Sequence, residues 1–444
     1  MQTISVVGLG KLGSPFLATC ASRGFNVIGL DVNRSVVDLI NRTVPPVDEP
    51  GLPQLIKKNR ARIRATTDYS EAINGSDITF IIVPTPSTKD GAFSNKYVLS
   101  AIQSIGKILT YKKKFHLIVV TSTIMPGSMD NEIVPLLEKI SGKKVGYDIG
   151  LCYNPEFIAL GSVIQNLLNP DFVMIGQSDD KSGEILENFY RKFCQNKSPV
   201  VRMNFINAEI TKIALNSYIT TKISFANTLA QICEKIPGGD VDQVTKALGL
   251  DSRIGNKYLK GALPYGGPCF PRDNRAFIHF AKKLKVSSPI AVATDKVNND
   301  LAYKLAEKIN SQVPPGGKVA ILGLSYKKDT DVAEESAGVK IANLLSQKRN
   351  HIYAWDPKAT NTAKPLLSSK VTLAKSMKDC LAQADVIVIA SDWQEFKDIK
   401  PGDLASDNKR PILMDCWRVL DPLKYKNVAQ YWAIGLESTK LESE

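Results

Sequence analysis

The amino-acid sequence predicts an α/β protein: two doubly wound parallel-sheet domains joined by a central helical domain with a long helix. Three observations carry this. Short apolar runs alternate with amphipathic stretches through the first half of the chain, the pattern of βαβ units. The period then changes to 3.6 over a length no strand reaches, and after a turn-rich linker the alternation resumes. A chain of 444 residues is in any case too long for one core.

The first strand is expected at 3–7, and it runs into Gly8-Leu-Gly10-Lys-Leu-Gly13 and a helical pattern, Phe16-Leu-Ala-Thr-Cys-Ala21. A lone Gly-x-Gly-x-x-Gly is weak, but strand before, helix after, and Asp31 at the end of the next strand form a dinucleotide fingerprint. The glycines let the backbone approach a pyrophosphate, and the helix start offers it free N–H groups. Asp31 would accept from the adenosine ribose hydroxyls and repel a 2′-phosphate, which favours NAD, although the neighbouring Arg34 is a cation that could pair with one. This reads as a Rossmann-type domain. Further strands are expected at 26–30, 78–83, 117–121 and 150–153.

From 204 to 234, Ile210, Ile213, Ala214, Tyr218 and Ile223 recur at helical spacing, and Ile236-Pro-Gly-Gly-Asp240 ends the segment. A second helical stretch covers 289–313. Long helices between two sheet domains commonly carry a dimer interface, so a homodimer through this part is expected. Val313-Pro-Pro-Gly-Gly317 then links to a second α/β unit. There Lys318-Val-Ala-Ile-Leu-Gly323 echoes the first strand, His351-Ile-Tyr-Ala-Trp-Asp356 the second, and Ala384-Asp-Val-Ile-Val-Ile-Ala390 the segment that starts at Ser76. Its loop, Gly323-Leu-Ser-Tyr-Lys-Lys328, lacks the second and third glycines, so a different nucleotide ligand is expected. The domains are therefore read as 1–203, 204–312 and 313–444.

Composition excludes several classes. With 43% hydrophobic and 23% charged residues the chain is neither disordered nor fibrous. No run of apolar residues is long enough to span a membrane. No basic segment followed by an apolar one precedes the first strand, so a cytoplasmic protein is expected. The seven cysteines are scattered without a Cys-x-x-Cys pair, and only three histidines exist, so reduced thiols and no metal site are expected. The formal charge of +13 is spread along the chain, in runs such as Lys112-Lys-Lys114 that read as solvated faces rather than a nucleic-acid patch. Such a surface would draw in polyanionic ligands, dinucleotides and nucleotide sugars among them.

The residues that bear chemistry lie mostly in the middle. Tyr265-Gly266-Gly267-Pro-Cys269-Phe-Pro-Arg-Asp273 delivers a thiol into what reads as a helix start, where the dipole favours the thiolate. The two glycines would leave a flexible approach with room for a ligand, and Cys269 and Asp273 would share a helix face. Lys212 and Asn216 have the same i, i+4 spacing on the long helix and can point at one reacting centre. Glu156, in Asn154-Pro-Glu-Phe157, and Thr123, in Thr121-Ser-Thr-Ile-Met-Pro-Gly127, follow strands at the carboxyl ends, where ligands sit in open α/β sheets.

With these motifs in this order, the chain resembles the UDP-glucose/GDP-mannose 6-dehydrogenase family over essentially its full length. Also matching are Glu49-Pro-Gly-Leu52, Val83-Pro84-Thr85-Pro86, Ser122-Thr123, Glu209-x-x-Lys212-x-x-x-Asn216, Arg253-Ile-Gly255, Gly323-x-x-Tyr326-Lys327 and Asp392-Trp-x-Glu-Phe396. Asn154-Pro-Glu-Phe157 and the stretch 251–273 look most like the UDP-glucose 6-dehydrogenases.

The resemblance implies oxidation of a sugar C6 alcohol to a carboxylate, with two NAD reduced. Cys269 captures the intermediate aldehyde as a thiohemiacetal, and a thioester is then hydrolysed. Lys212 and Asn216 would stabilise oxyanions, Asp273 would hold Lys212 and a water, and Thr123 and Glu156 would act on water and protons. The cofactor would lie along Gly8, Gly10, Lys11, Leu12, Gly13 and Asp31. It would also meet Val83, Pro84, Thr85, Ser122, Thr123, Glu156, Cys269 and Glu334. A UDP-sugar would meet Phe157, Ile158, Lys212, Asn216, Tyr258 and Lys260, then Tyr265, Gly266, Gly267, Tyr326 and Lys327, with Arg253 reaching the partner subunit's nucleotide sugar.

Two positions depart from the family. Leu160 stands where many relatives carry a second glutamate, and Glu334 where relatives commonly carry an arginine that approaches the cofactor. UDP-N-acetylhexosamines, UDP-galactose and GDP-mannose remain alternative substrates. A β-hydroxyacid-type dehydrogenase would have no use for Cys269, and a catalytically silent nucleotide-binding regulator would give no NADH.

Overall fold

The computed structural model describes residues 2–348, 351–382, 384–404 and 410–437. The chain divides into two compact units, Met1–Ile213 and Ala214–Glu444.

The first unit is built on strands β1 (Thr3–Val7), β2 (Asn26–Leu30), β3 (Ile63–Thr66), β4 (Ile78–Ile81), β5 (His116–Val120), β6 (Ile149–Tyr153), β7 (Val173–Gln177) and β8 (Val200–Met203). They form one sheet in the order β3-β2-β1-β4-β5-β6-β7-β8, parallel except where β7 runs against β6. Strands β4, β5 and β6 are buried along their whole length, as continuous apolar runs must be when a parallel sheet is covered on both faces. Under helix α1 (Gly13–Ser22) the rings of Phe16 and Phe80 meet at 4.7 Å, and Phe189 and Phe193 stack at 5.2 Å.

Strands β3, β7 and β8 went unanticipated. Ile63-Arg-Ala-Thr66 is an edge strand with Arg64 exposed, and Val200-Val-Arg-Met203 is the opposite edge, only partly buried. Neither needs the unbroken apolar run that marks a central strand.

A helix α2 (Phe205–Cys233) carries the chain from the first unit into the second, within a residue of the expected bounds. In the second unit, α3 (Phe270–Lys283) and α4 (Pro289–Gln312) precede a six-stranded parallel sheet. Its strands are β9 (Val319–Leu322), β10 (Ile352–Trp355), β11 (Val371–Leu373), β12 (Val386–Ile389), β13 (Ile412–Asp415) and β14 (Gln430–Ala433), with α5 (Ala337–Ser346) following β9. Their order, β11-β10-β9-β12-β13-β14, repeats the first six positions of the first sheet.

The echo extends to single hydrogen bonds. Asp77 accepts from the Thr3 N–H at 3.1 Å, and Asp385 accepts from the Lys318 N–H at 2.8 Å. Asp31 accepts from the Leu9 N–H at 2.8 Å, and Asp356 from the Leu324 N–H at 2.8 Å. The loop Gly323–Lys328 lacks the second and third glycines as expected, but the contact of the third is made from further along the chain. A Cβ on Gly338, in the first turn of α5, would come within 1.9 Å of the Gly323 carbonyl oxygen. The loop is longer, but helix and strand close on each other as they do in the first unit.

Candidate functional site

In the first unit, each fingerprint glycine is required for its own reason. Gly8 adopts φ +94°, and a Cβ there would lie 2.3 Å from the Ile82 carbonyl oxygen. A Cβ on Gly13 would lie 1.8 Å from the Gly8 carbonyl oxygen, so only glycine lets α1 start this close to β1. Gly10 has nothing within 4 Å of the Cβ position and is exposed, so the space beside it is open for a pyrophosphate. Leu12 caps α1 without a side-chain bond, and Lys11 is exposed beside it.

The loop and Asp31 are one construction. Asp31 Oδ2 takes the Leu9 N–H and Oδ1 the Asn33 N–H at 2.9 Å, which fixes the carboxylate at the end of β2. Arg34 pairs with Asp38 one turn along, at 3.2 Å. These residues fit NAD: an open glycine, an uncapped helix start and a carboxylate for the ribose. In the second unit the equivalent Asp356 is fully buried, and its two oxygens take N–H groups from Leu324, Ser325, Lys358 and Ala359. It has no capacity left for a ribose, in line with a different ligand there.

The strand-end loops of the first unit are clamped to each other. Ser122 Oγ accepts from the Val83 N–H at 3.0 Å and lies 2.7 Å from the Val83 carbonyl, next to Pro84. Thr85 Oγ1 donates to the Thr123 carbonyl at 2.7 Å. Glu209, on α2, is fully buried and takes the N–H groups of Gly127 at 2.7 Å and Met129 at 2.8 Å, holding the loop that carries Thr123. Glu49 does the same for the loop after β6, accepting from Gly161 at 3.0 Å and Val163 at 2.7 Å.

That second loop carries Glu156, which receives a hydrogen bond from the Tyr190 hydroxyl at 3.1 Å. Burial raises the Glu156 carboxyl to about 7, against the pull of Tyr190 and of the Lys212 charge. Lys212 is itself buried, donates to the Glu156 carbonyl oxygen at 2.7 Å and lies 4.7 Å from the centre of the Phe157 ring. Thus Glu156, Phe157 and Lys212 are brought together. Leu160 and Ile158 pack against the apolar core instead.

In the second unit, Asn216 donates to Asp273 Oδ2 at 2.6 Å, with Arg272 Nε 3.4 Å from the other oxygen. Asp273 is buried and begins its helix properly: its N–H bonds the Cys269 carbonyl at 2.8 Å. Cys269 is the N-cap of α3 and the one exposed cysteine of the seven. Burial raises the thiols of the other six, Cys380 to about 12. Only the Cys269 thiol therefore stands open to solvent.

The glycines before it differ from expectation. A Cβ on Gly266 would meet the Glu335 carbonyl oxygen at 2.2 Å, and one on Gly267 the Tyr326 ring at 2.6 Å. They are small because the protein packs on them, so the space expected for a ligand at their Cα atoms is already filled. The Gly267 N–H donates to the Glu334 carbonyl at 3.1 Å, while the Glu334 side chain is exposed. Asn298, on α4, clamps both backbone groups of Tyr265. Tyr258 sits at φ +63° with its ring edge-on to Phe270, Lys260 is exposed, and Lys327 lies 5.9 Å from the Tyr326 ring. Arg253 is exposed and pairs with Asp251 at 2.6 Å.

Residues 2–194 match the NAD binding domain of the UDP-glucose/GDP-mannose dehydrogenase family, residues 206–300 its central domain, and residues 320–422 its UDP binding domain. A UDP-glucose 6-dehydrogenase of Haloferax volcanii is 34% identical over 397 residues, covering 88% of this chain and 92% of that protein. A GDP-mannose 6-dehydrogenase of Pseudomonas putida is 33% identical over 408 residues, covering 89% and 92%. Among solved structures, a UDP-glucose dehydrogenase from Pyrobaculum islandicum superposes with a TM-score of 0.88 at 31% identity, covering 98% of both chains.

Proposed function

The chain belongs to the UDP-glucose/GDP-mannose dehydrogenase family, and on that basis we propose that it oxidises the C6 hydroxyl of UDP-glucose to the carboxylate of UDP-glucuronate, with Cys269 as covalent nucleophile. The observation that carries the proposal is the single exposed thiol at the start of α3, with the buried Asp273–Asn216 pair one turn below it. Bound NAD would supply the hydride acceptor for both oxidations.

The protein's own groups do the rest. Glu156 serves as the proton carrier for the C6 hydroxyl and for the hydrolytic water, with Thr123 positioning that water. The Cys269 thiolate adds to the aldehyde carbon, and the resulting tetrahedral adduct is a far better hydride donor than the free aldehyde. Loss of the second hydride leaves a thioester, which water cleaves to the acid and the free thiol. Lys212 and Asn216 stabilise the oxyanions of these steps. The segments 1–203, 204–312 and 313–444 are read as the NAD, central and UDP-sugar domains, and Glu334 as a carboxylate facing the cofactor. Tyr218, Phe225 and Ile232, exposed at intervals of seven along α2, support a homodimer through this helix, in which Arg253 would complete the partner's site.

A panel of UDP-glucose, UDP-galactose, UDP-N-acetylhexosamines and GDP-mannose, assayed for NADH produced per sugar consumed, tests the reading. Two NADH per UDP-glucose are expected. One per sugar would replace the reading with a simple alcohol dehydrogenase, none with a silent binding protein. Two from GDP-mannose alone would keep the chemistry and change the substrate, an outcome the Pseudomonas putida relative makes worth including.

The carboxyl of Glu156 supplies a pH prediction. Burial penalises its charged form, so it is protonated below about 7 and ionised above. As a base it works only when ionised, and kcat should therefore rise with pH on a limb centred near 7. Glu156→Gln should abolish that limb along with most of the activity, whereas a limb that survives in the variant would assign the titration to another group.

A further inference from the structure

The chain around Cys269 is gripped on both sides by two consecutive residues of a distant loop. Before the thiol, the Gly267 N–H donates to the Glu334 carbonyl at 3.1 Å. After it, Arg275 donates from Nε to the Pro271 carbonyl at 3.1 Å and from Nη2 to Glu335 Oε1 at 2.9 Å. The other oxygen of Glu335 lies 2.5 Å from Lys340 Nζ. Lys340 belongs to α5, which is seated on the sheet through the close pass of Gly338 over Gly323. One carboxylate thus connects the first turns of the thiol's helix to the helix that follows β9.

The backbone of Glu335 adds an independent sign. Its φ is +52°, in the left-handed region that favours glycine. A glutamate persists there only where its surroundings over-determine it, and such residues gather where geometry matters to function. Glycine would fit this backbone without strain and would lack only the side chain. Asp295 shares the charge field of Arg275 and Lys340, so two cations face two carboxylates. Burial by itself would raise the Glu335 carboxyl, but Lys340 and Arg275 outweigh it and hold the carboxyl below the usual range, hence ionised.

We infer that Glu335 is a positioning residue for the Cys269 thiol: its carboxylate, bridging Arg275 and Lys340, locks the start of α3 to the C-terminal sheet and so fixes where the thiol stands. The kinetic arm of the test rests on the proposed dehydrogenase reading; the chemical arm does not. Glu335→Gln keeps the shape and removes the charge, while Glu335→Gly removes the side chain and relieves the backbone. Alkylation of Cys269 by iodoacetamide in the full chain, resolved by mass spectrometry, reads the thiol directly.

Both variants are expected to melt within a few degrees of the parent and to alkylate roughly tenfold more slowly, as the thiol loses its alignment with the helix start. Their kcat should fall with the KM for NAD unchanged, and Glu335→Asp should recover part of it. Arg275→Gln should reproduce the loss, and the double variant should lose no more than either single one. An unchanged alkylation rate in a folded variant overturns the inference, with or without a lower melting temperature, and so does an additive double variant. If alkylation slows as expected in a protein that makes no NADH from any nucleotide sugar, the positioning role stands and the dehydrogenase reading falls.

Discussion

Cys269→Ser is expected to bind nucleotide sugar as the parent does, while forming the acid at least on the order of 10³-fold more slowly. A serine hydroxyl is far less nucleophilic than a thiolate near neutral pH, and the ester it would form is a poorer intermediate than a thioester. Unfolding would not explain such a loss. The position is exposed and is the N-cap of α3, where serine is among the preferred residues, and the exchange replaces only sulfur by oxygen. The melting temperature should therefore hold or rise slightly. The measurement is NADH formed per sugar together with mass spectrometry of the protein during turnover: the parent should carry a sugar adduct on Cys269 and the variant none. A variant that still yields two NADH per sugar at the parent's rate would eliminate covalent catalysis, and Lys212 with Asn216 would then have to act on a hydrated aldehyde.

Much of this arrangement was legible in the sequence because it is local. The fingerprint Gly8–Gly13, the end of β2 at Asp31 and the helix start at Cys269 are each written within a few residues, where periodicity and capping rules apply. The bounds of α2 and α4 were legible for the same reason. What escaped is long-range. Tyr190 reaches Glu156 across 34 positions and Arg275 reaches Glu335 across 60, and nothing near either residue signals the partner. Glu49 and Glu209 stood inside recognised motifs, but their task, holding loops by backbone N–H groups, is visible only when the loops are placed. Gly338 was missed because the second fingerprint is interrupted: its third glycine lies fifteen positions beyond Gly323 rather than five, yet it makes the same contact. The two glycines before Cys269 were seen but misread, since a glycine required by a ligand and one required by a protein ring look alike in sequence.

Gly13 and Gly10 offer the means to separate those two cases. A methyl group on Gly13 would fall 1.8 Å from the Gly8 carbonyl oxygen, less than any real contact, so α1 has to move away from β1 or the β1–α1 loop has to open. Both strand and helix are in the buried core, where backbone shifts are costly. Overpacking of this kind costs about 3 kcal/mol. In a domain of this size that lowers the melting temperature by on the order of 10 °C. NAD binding should be lost with it, because the shifted helix start no longer presents its N–H groups. Gly10→Ala should behave otherwise. Nothing lies within 4 Å of its Cβ position, so the fold and melting temperature should be unaffected while the KM for NAD rises, the methyl occupying space meant for the pyrophosphate. Thermal melts and NAD titrations of the two variants decide the matter. If Gly10→Ala binds NAD as the parent does, the open side of the loop is not the pyrophosphate site. If Gly13→Ala melts normally, the close pass of helix over strand is not what the third glycine is for.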